Sequence, residues 1–326
     1  MNESMINLVS KLLPTKNLRR KFKEQQKQKL AEEEQQTYKK KKLIMTLVCK
    51  DEIEIIEKHL LFHHHMGIDG YIVTDNNSTD GTREILEEYK KKGIVLEIID
   101  EPCPTHMHGV WVHRMVELAI KKYHADWIIN SDADEFWYAQ SEDLKYDIAQ
   151  CGKANVLNLY FRNFVPPVSE AEDYFQTCSF VTRLLPKYEA AALGISNPHY
   201  IDTHPMPKVI HQSKGYIHIL DGNHGVKIKN PDIVSPSNIR LYHYYIRNYK
   251  HFEHKVVKGY ASVKDHPQKG IGSEWRLWYE KYYSQGKLAD AYSEKFAFDK
   301  LPLLREVGCV VNDPSIINFM KHKKIL

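Results

Sequence analysis

The sequence predicts an α/β fold: a doubly wound, mostly parallel sheet with an N-terminal helical leader and a C-terminal helical region. Three observations carry that expectation. Strand-length apolar runs alternate with helix-period segments between residues 43 and 132. Capping residues and glycines punctuate the helical segments. Carboxylates collect where the apolar runs stop.

In order, residues 1–42 form a leader crowded with lysine and arginine, and "KFKEQQKQKLAEEEQQTYKKKK" is nearly all helix-forming residues with little apolar face. "LIMTLV" (43–48) has the length of a buried strand. "DEIEIIEKHLLFHHHMG" (51–67) repeats apolar residues at helical spacing and ends at a glycine. "GYIVTD" (70–75) is a second strand, and "STDGTREILEEYKKKG" (78–93) a helix with acids early and lysines late, as the helix dipole favours. "IVLEIID" (94–100), "GVWVHRMVELAIKKY" (109–123) and "DWIINSD" (126–132) continue as strand, helix, strand. The expected division is a leader at 1–42, a main domain at 43–246 and a helical extension at 247–326.

At 326 residues, 42% apolar and 27% charged, the chain holds enough apolar material for one sizeable core. A net charge of +4 gives no argument for nucleic acid. Five cysteines stand at wide spacing without a CxxC pair, so neither a zinc ribbon nor a disulfide framework is indicated and a reducing cytoplasm is expected. No run approaches the ~20 apolar residues of a membrane span, and Lys11 and Pro14 interrupt the only apolar patch near the start. Ile6, Leu8, Val9, Leu12 and Leu13 beside Lys11, Lys16, Arg19, Arg20 and Lys21 would suit a peripheral foot on an anionic leaflet at the inner face of the membrane; a solvated helix is the plainer reading.

The acids give the chain its chemistry. Ligands in such sheets bind outside the carboxyl ends of the strands. Asp75 ends the second strand, Asp100 and Glu101 close the third, and Asp132 and Asp134 end the fourth in "IINSDADEF". Carboxylates two residues apart on an extended chain sit roughly 7 Å apart, too wide to chelate one ion without a turn. One would serve a Mg²⁺ or Mn²⁺ ion and the other a neighbouring hydroxyl or metal-bound water. Such ions are commonly completed by substrate phosphates. No GxxxxGK[ST] or GxGxxG is present, so a cation would have to neutralise the phosphates.

These residues carry a resemblance. "VCKDEIEIIEKHLLFHHHMGIDGYIVTDNNSTDGTREILEEY" resembles the N-terminal half of family 2, GT-A fold glycosyltransferases with a "DNNSTDGT" loop. "ADWIINSDADEFW" resembles their DxD strand end, and "LYHYYIRNYKHFEHKVVKGY" (241–260) their HYxxRSxxxFxxKxxxG segment. The matching blocks span residues 43–140 and 205–285. The resemblance implies an inverting, metal-dependent transfer from a nucleotide-diphosphate sugar, UDP above others, to a glycan or lipid-linked acceptor. It places Glu52 near the nucleotide, with Asp51 where the family has asparagine. It places Asp75, with Asn77 in the same loop, at the base, Asp132 near the ribose or a metal water, and Asp134 on the metal. A late histidine completes the metal shell: His243 is the choice and His224 the alternative.

Residues 151–204 match nothing specific, so the resemblance names no base for the acceptor; Asp221, which follows a predicted strand, is the first choice, with Glu170 and Asp173 as alternatives. His63, His64 and His65 are consecutive and point apart on a helix, so they do not chelate together. Cys103, His106, His108 and His113 lie in a loop beside the nucleotide position, without zinc spacing, and suit substrate lining. The aromatics after residue 242 recur at three- and four-residue spacing and suit helix packing. Two other readings remain: a nucleotidyltransferase, which would want a basic Gly-rich loop where "CKDEIEI" is acidic, and a catalytically silent nucleotide-sugar or glycan binder.

Overall fold

A computed structural model of the chain describes residues 3–103, 107–167, 173–182, 187–194, 206–266, 270, 272–296 and 298–326. The first strands are β1 (Leu43–Cys49), β2 (Gly70–Asp75), β3 (Val95–Asp100) and β4 (Trp127–Asp132). All four run parallel, in the order β4-β1-β2-β3. Then follow β5 (Glu135–Ala139), β6 (Val156–Leu159), β7 (Phe161–Phe164), β8 (Ser179–Val181), β9 (Lys208–Gln212), β10 (Tyr216–Ile219), β11 (Val226–Ile228), β12 (Ile233–Val234), β13 (Ile239–His243) and β14 (Val310–Asn312). β9 and β6 extend the parallel sheet beyond β4, with β9 antiparallel to both neighbours. A second sheet has the order β14-β8-β7-β13-β5.

Helices cover both faces of the first sheet, which is why its strands are apolar on both sides. The helices up to residue 263 are α1 (Glu3–Lys11), α2 (Lys16–Lys39), α3 (Ile56–His65), α4 (Thr82–Lys91), α5 (His108–Lys121), α6 (Leu144–Ala149), α7 (Lys187–Ala192) and α8 (Tyr249–Val263). Ile56, Leu60 and Phe62 of α3 share a buried cluster with Met45, Leu47, Tyr71 and Val73. Ile44, Ile72 and Ile128 face the other way, onto Val112, Met115, Val116 and Ala119 of α5. Each such side chain contributes about 1.5–3 kcal/mol by leaving water.

The helix α3 starts later than the apolar period suggests. Residues 51–53 and 78–82 are tied to each other instead of coiling. The Asp51 N–H donates to Ser78 Oγ (3.0 Å), Glu52 N–H to Thr82 Oγ1 (2.8 Å) and Ile53 N–H to Asp80 Oδ2 (2.9 Å). Gly81 sits at φ +107°, and a Cβ there would meet Ile53 Cδ1 at 2.7 Å, so only glycine serves this crossing.

The leader forms two helices. α2 ends against the amino end of the sheet, where Lys41 Nζ meets Asp126 Oδ1 at 2.9 Å and Tyr38 packs on Tyr146 at 5.4 Å. In α1, Ile6 and Ser10 are buried while Met5 and Leu8, with Leu12 just beyond the helix, stay exposed. The apolar residues expected on one side are thus divided between two faces. No helix among the described residues is long and apolar enough to cross a membrane. From residue 247 onward the chain is mostly helical but also supplies β14, which pairs with β8. A final helix (Ser315–His322) returns to the first core, where Phe319 lies 5.1 Å from Phe62.

Candidate active site

The parallel register brings the expected acids to one edge. Asp132 of β4 lies opposite Val48, Asp75 of β2 opposite Cys49, and Asp100 of β3 opposite Asp75. Neighbouring strands are about 4.8 Å apart, so Asp75 and Asp132 stand roughly 10 Å apart along the carboxyl edge.

At Ala133 and Asp134 the chain turns out of the first sheet and enters the second as β5. That turn is the one the DxD spacing required. β5 pairs with β13 so that Glu135 opposes His243, and the Tyr244 N–H donates to the Asp134 carbonyl at 2.8 Å. Strand pairing, rather than sequence proximity, therefore delivers His243 to Asp134. His243 Nε2 is 3.6 Å from Asp134 Oδ1. Its Nδ1 lies 3.0 Å from Asn163 Oδ1, and its ring stacks on Phe161 at 4.4 Å. An amide oxygen can only accept, so Nδ1 carries a proton and Nε2 is left facing Asp134, donating toward the carboxylate when the ring is protonated and offering a lone pair to a cation when it is not.

Each carboxylate of the pair holds an ammonium. Lys208 Nζ, buried at the start of β9, lies 2.7 Å from Asp132 Oδ2 and 2.9 Å from Glu135 Oε1. Lys255 Nζ, from α8, lies 2.8 Å from Asp134 Oδ2 and donates to the Tyr245 carbonyl at 2.8 Å. Burial alone would raise both aspartates, but Lys208 with His108 holds Asp132, and Lys255 with His243 holds Asp134, well below the usual carboxylate range. Glu135 behaves differently. It is fully buried, and burial wins over Lys208 and pushes it up to about 8. His108, the first residue of α5, brings Nε2 to 3.4 Å from Asp132 Oδ1.

The loops after β1 and β2 complete the edge. The buried Asp75 accepts from the Ser78 N–H at 3.0 Å, and its other oxygen is 3.6 Å from Arg83 Nη1. Asn76 donates to the carbonyls of Glu101 (2.8 Å) and Cys103 (2.9 Å), bracing the loop after β3. Asn77 is exposed at φ +55°, its amide 3.4 Å from the Pro102 carbonyl. Ser78, Thr79, Asp80 and Thr82 are occupied by the brace to residues 51–53, and Asp75 and Asn77 stand outside it. Glu52 accepts from Arg247 Nη1 and Nη2, each at 3.3 Å. Burial raises the Glu52 pKa against the pull of Arg247 and Lys255.

The structure thus gathers Glu52, Asp75, Asp132, Asp134 and His243 at one edge. His224 follows the β10 strand and accepts no such partner; its Nδ1 meets the Pro207 carbonyl at 3.3 Å. Burial and Lys208 lower its pKa while Asp132 opposes them, so it belongs to the Asp132 side of the site. Asp221 opens the short turn Asp221–Asn223 beside α5. Asp173 is exposed and caps the turn Tyr174–Gln176, its Oδ1 accepting from the Phe175 N–H at 3.0 Å. Glu170 and His106 lie outside the described residues. His113 turns away, its Nδ1 2.8 Å from the Tyr216 hydroxyl. Of the histidine run, His63 is buried and braces Trp137 N–H at 2.9 Å, while His64 and His65 are exposed.

Lys208, Lys255 and Arg247 received no role from the sequence. Arg247 and Lys255 occupy the R and K of the 241–260 segment, a usable signal; Lys208 is a lysine opening an apolar strand, which signals little.

Among the described residues no three His, Cys, Asp or Glu side chains converge as a ready metal cage. What exists is one carboxylate oxygen and one imidazole nitrogen 3.6 Å apart. That donor set suits a hard divalent cation whose remaining ligands are phosphate oxygens and water.

A family model described as Glycosyltransferase family 92 matches residues 46–284. The motifs had resembled family 2, so the family number differs from that expectation. No curated protein matches the sequence. Among solved structures, S. aureus TarS 1–349 in complex with UDP is 13% identical, with 79% of this chain and 73% of that chain covered and a TM-score of 0.39. The mannosyltransferase PcManGT from Pyrobaculum calidifontis, in complex with GDP-Man and Mn²⁺, is 13% identical over 82% of this chain and 78% of that chain, with a TM-score of 0.38. Glucosyl-3-phosphoglycerate synthase from Mycobacterium tuberculosis, with Mn²⁺, UDP and glucosyl-3-phosphoglycerate, is 12% identical over 53% and 57%, with a TM-score of 0.30.

Proposed function

Because the chain belongs to glycosyltransferase family 92, glycosyl transfer is the premise, and we propose that its donor is a nucleotide-diphosphate sugar, with UDP the nucleotide, bound together with Mn²⁺ or Mg²⁺. The observation that carries this is the convergence of Asp134 Oδ1 and His243 Nε2, 3.6 Å apart, with Asn163 fixing the imidazole tautomer. Asp134 and His243 would hold the cation. It would supply positive charge for the diphosphate as that group leaves.

The chain's own residues supply the rest. Asp75, with Asn77 beside it, accepts from the nucleotide base, and Asp132 from the ribose or a metal-bound water. Glu52, kept in place by Arg247, lines the same edge. Transfer with inversion needs a carboxylate to take the acceptor hydroxyl's proton as its oxygen attacks the anomeric carbon and the bond to the diphosphate breaks. Asp221, in the turn that packs beside α5, is our choice of base. The acceptor is a glycan or a lipid-linked saccharide.

A thermal-shift screen of nucleotide sugars with and without Mn²⁺ tests the reading, because a ligand at 100 times its Kd stabilises by about 2.7 kcal/mol. A UDP-sugar is expected to raise Tm only with Mn²⁺ present. A shift that EDTA leaves unchanged would reject the cation, and no shift with any nucleotide sugar would reject the donor class.

A further inference from the structure

Both carboxylates of the Asp132/Asp134 pair are already neutralised by lysine, but the two lysines are held differently. Lys208 is 3% exposed and clamped between Asp132 and Glu135. Lys255 is 20% exposed and shares its ammonium between one carboxylate and one backbone carbonyl, over the Tyr245 ring at 4.8 Å. Lys208 is built in. Lys255 stands at the rim on a flexible four-carbon stem, and only it can leave without stranding a second buried carboxylate.

The carboxylates at this edge are already paired without any added ion: Asp132 with Lys208, Asp134 with Lys255, and Glu52 and Glu54 with Arg247. A divalent cation arriving alone would add two positive charges beside Lys255. One arriving with a diphosphate adds almost none, and gives the displaced ammonium an anion to meet.

We infer that Lys255 is a resident counter-cation of Asp134: it keeps divalent metal out until the donor's diphosphate is present, then yields the carboxylate and turns to the phosphates. This rests on the cation site proposed above and adds its control. Lys255 is a positioning residue here, and it couples metal binding to nucleotide binding. Coupling of that kind is reciprocal, so whatever UDP does for Mn²⁺, Mn²⁺ does for UDP.

The test is an Mn²⁺ titration by electron paramagnetic resonance on the full chain, with and without UDP, in wild type, Lys255→Met and Lys255→Arg. Wild type is expected to bind Mn²⁺ weakly alone and about 100-fold more tightly with UDP. Lys255→Met is expected to bind Mn²⁺ alone about tenfold more tightly than wild type, with the coupling reduced by the same factor. Lys255→Arg keeps the wild-type pattern because the charge remains. A gain of metal affinity is not what a structural defect produces. Lys255→Met binding Mn²⁺ alone no more tightly than wild type overturns the inference and leaves the cation site standing. Should that variant fail to fold, the wild type still decides: equal Mn²⁺ affinity with and without UDP overturns it. Wild type that binds no Mn²⁺ even with UDP overturns the cation site as well.

Discussion

Asp134→Ala is expected to lower glycosyl transfer by roughly 10²–10³-fold or more, the scale of losing one preorganised charge at a reacting centre, while the fold survives. The side chain's partners do not depend on it for their remaining bonds. Lys255 keeps the Tyr245 carbonyl and His243 keeps Asn163. The backbone bond from Tyr244 to the Asp134 carbonyl, which sets the turn between the sheets, involves no side-chain atom. What disappears is the carboxylate facing His243 Nε2. The loss should fall on kcat as well as kcat/KM, since charge on the leaving diphosphate grows in the transition state. Steady-state kinetics across an Mn²⁺ series measure it. Activity within a fewfold of wild type would remove Asp134 from the metal.

Lys208→Met is expected to act on stability instead, costing about 3–5 kcal/mol, because removing one partner leaves buried carboxylates uncompensated. Asp132 and Glu135 both lose the ammonium at 2.7 and 2.9 Å. The cost should also depend on pH. Glu135 has a folded pKa raised from 4.5 to about 8 by burial, and Lys208 is the main force opposing that rise. A raised group contributes fully below its unfolded value and loses that contribution as pH rises through the folded value. In the variant the folded value climbs further. The destabilisation should therefore be smaller at pH 5, where Glu135 is neutral with or without Lys208, than at pH 8.5, where the wild-type carboxyl ionises beside Lys208 and the folded variant must hold its proton while the unfolded chain releases it. Asp132 works in the opposite sense: its depressed pKa stabilises above about 3.8, so its lost partner is felt at both pH values. Urea unfolding at the two pH values measures the difference. A pH-independent loss would mean that Glu135 does not carry the strain assigned to it.

Much of the arrangement was legible in the sequence because local signals and tertiary demand agreed. Apolar runs with acids at their ends gave β1 to β4 and their direction, and the placement of Asp75 and Asp132 followed from strand ends alone. The DxD spacing even demanded a turn, which Ala133 and Asp134 provide. The misses have physical causes. Residues 51–55 carry helical periodicity, but bonds from residues 51–53 to Ser78, Asp80 and Thr82 outcompete helix nucleation there. Lys208 was invisible because its role depends on β9 entering antiparallel beside β4, a long-range pairing that no local pattern encodes. The splitting of the α1 apolar residues between two faces likewise depends on packing. For the base, Asp221 had only its place after a predicted strand to put it ahead of Asp173 and Glu170, because no local pattern says which carboxylate meets the acceptor.

The most direct measurement of the central claim is anomalous diffraction at the manganese edge from crystals grown with UDP and Mn²⁺. The account predicts one peak in contact with a carboxylate oxygen of Asp134 and with His243 Nε2, bridged to the UDP phosphates, with Lys255 moved off Asp134. UDP bound at this edge with no anomalous peak, or with manganese held away from both Asp134 and His243, would contradict it.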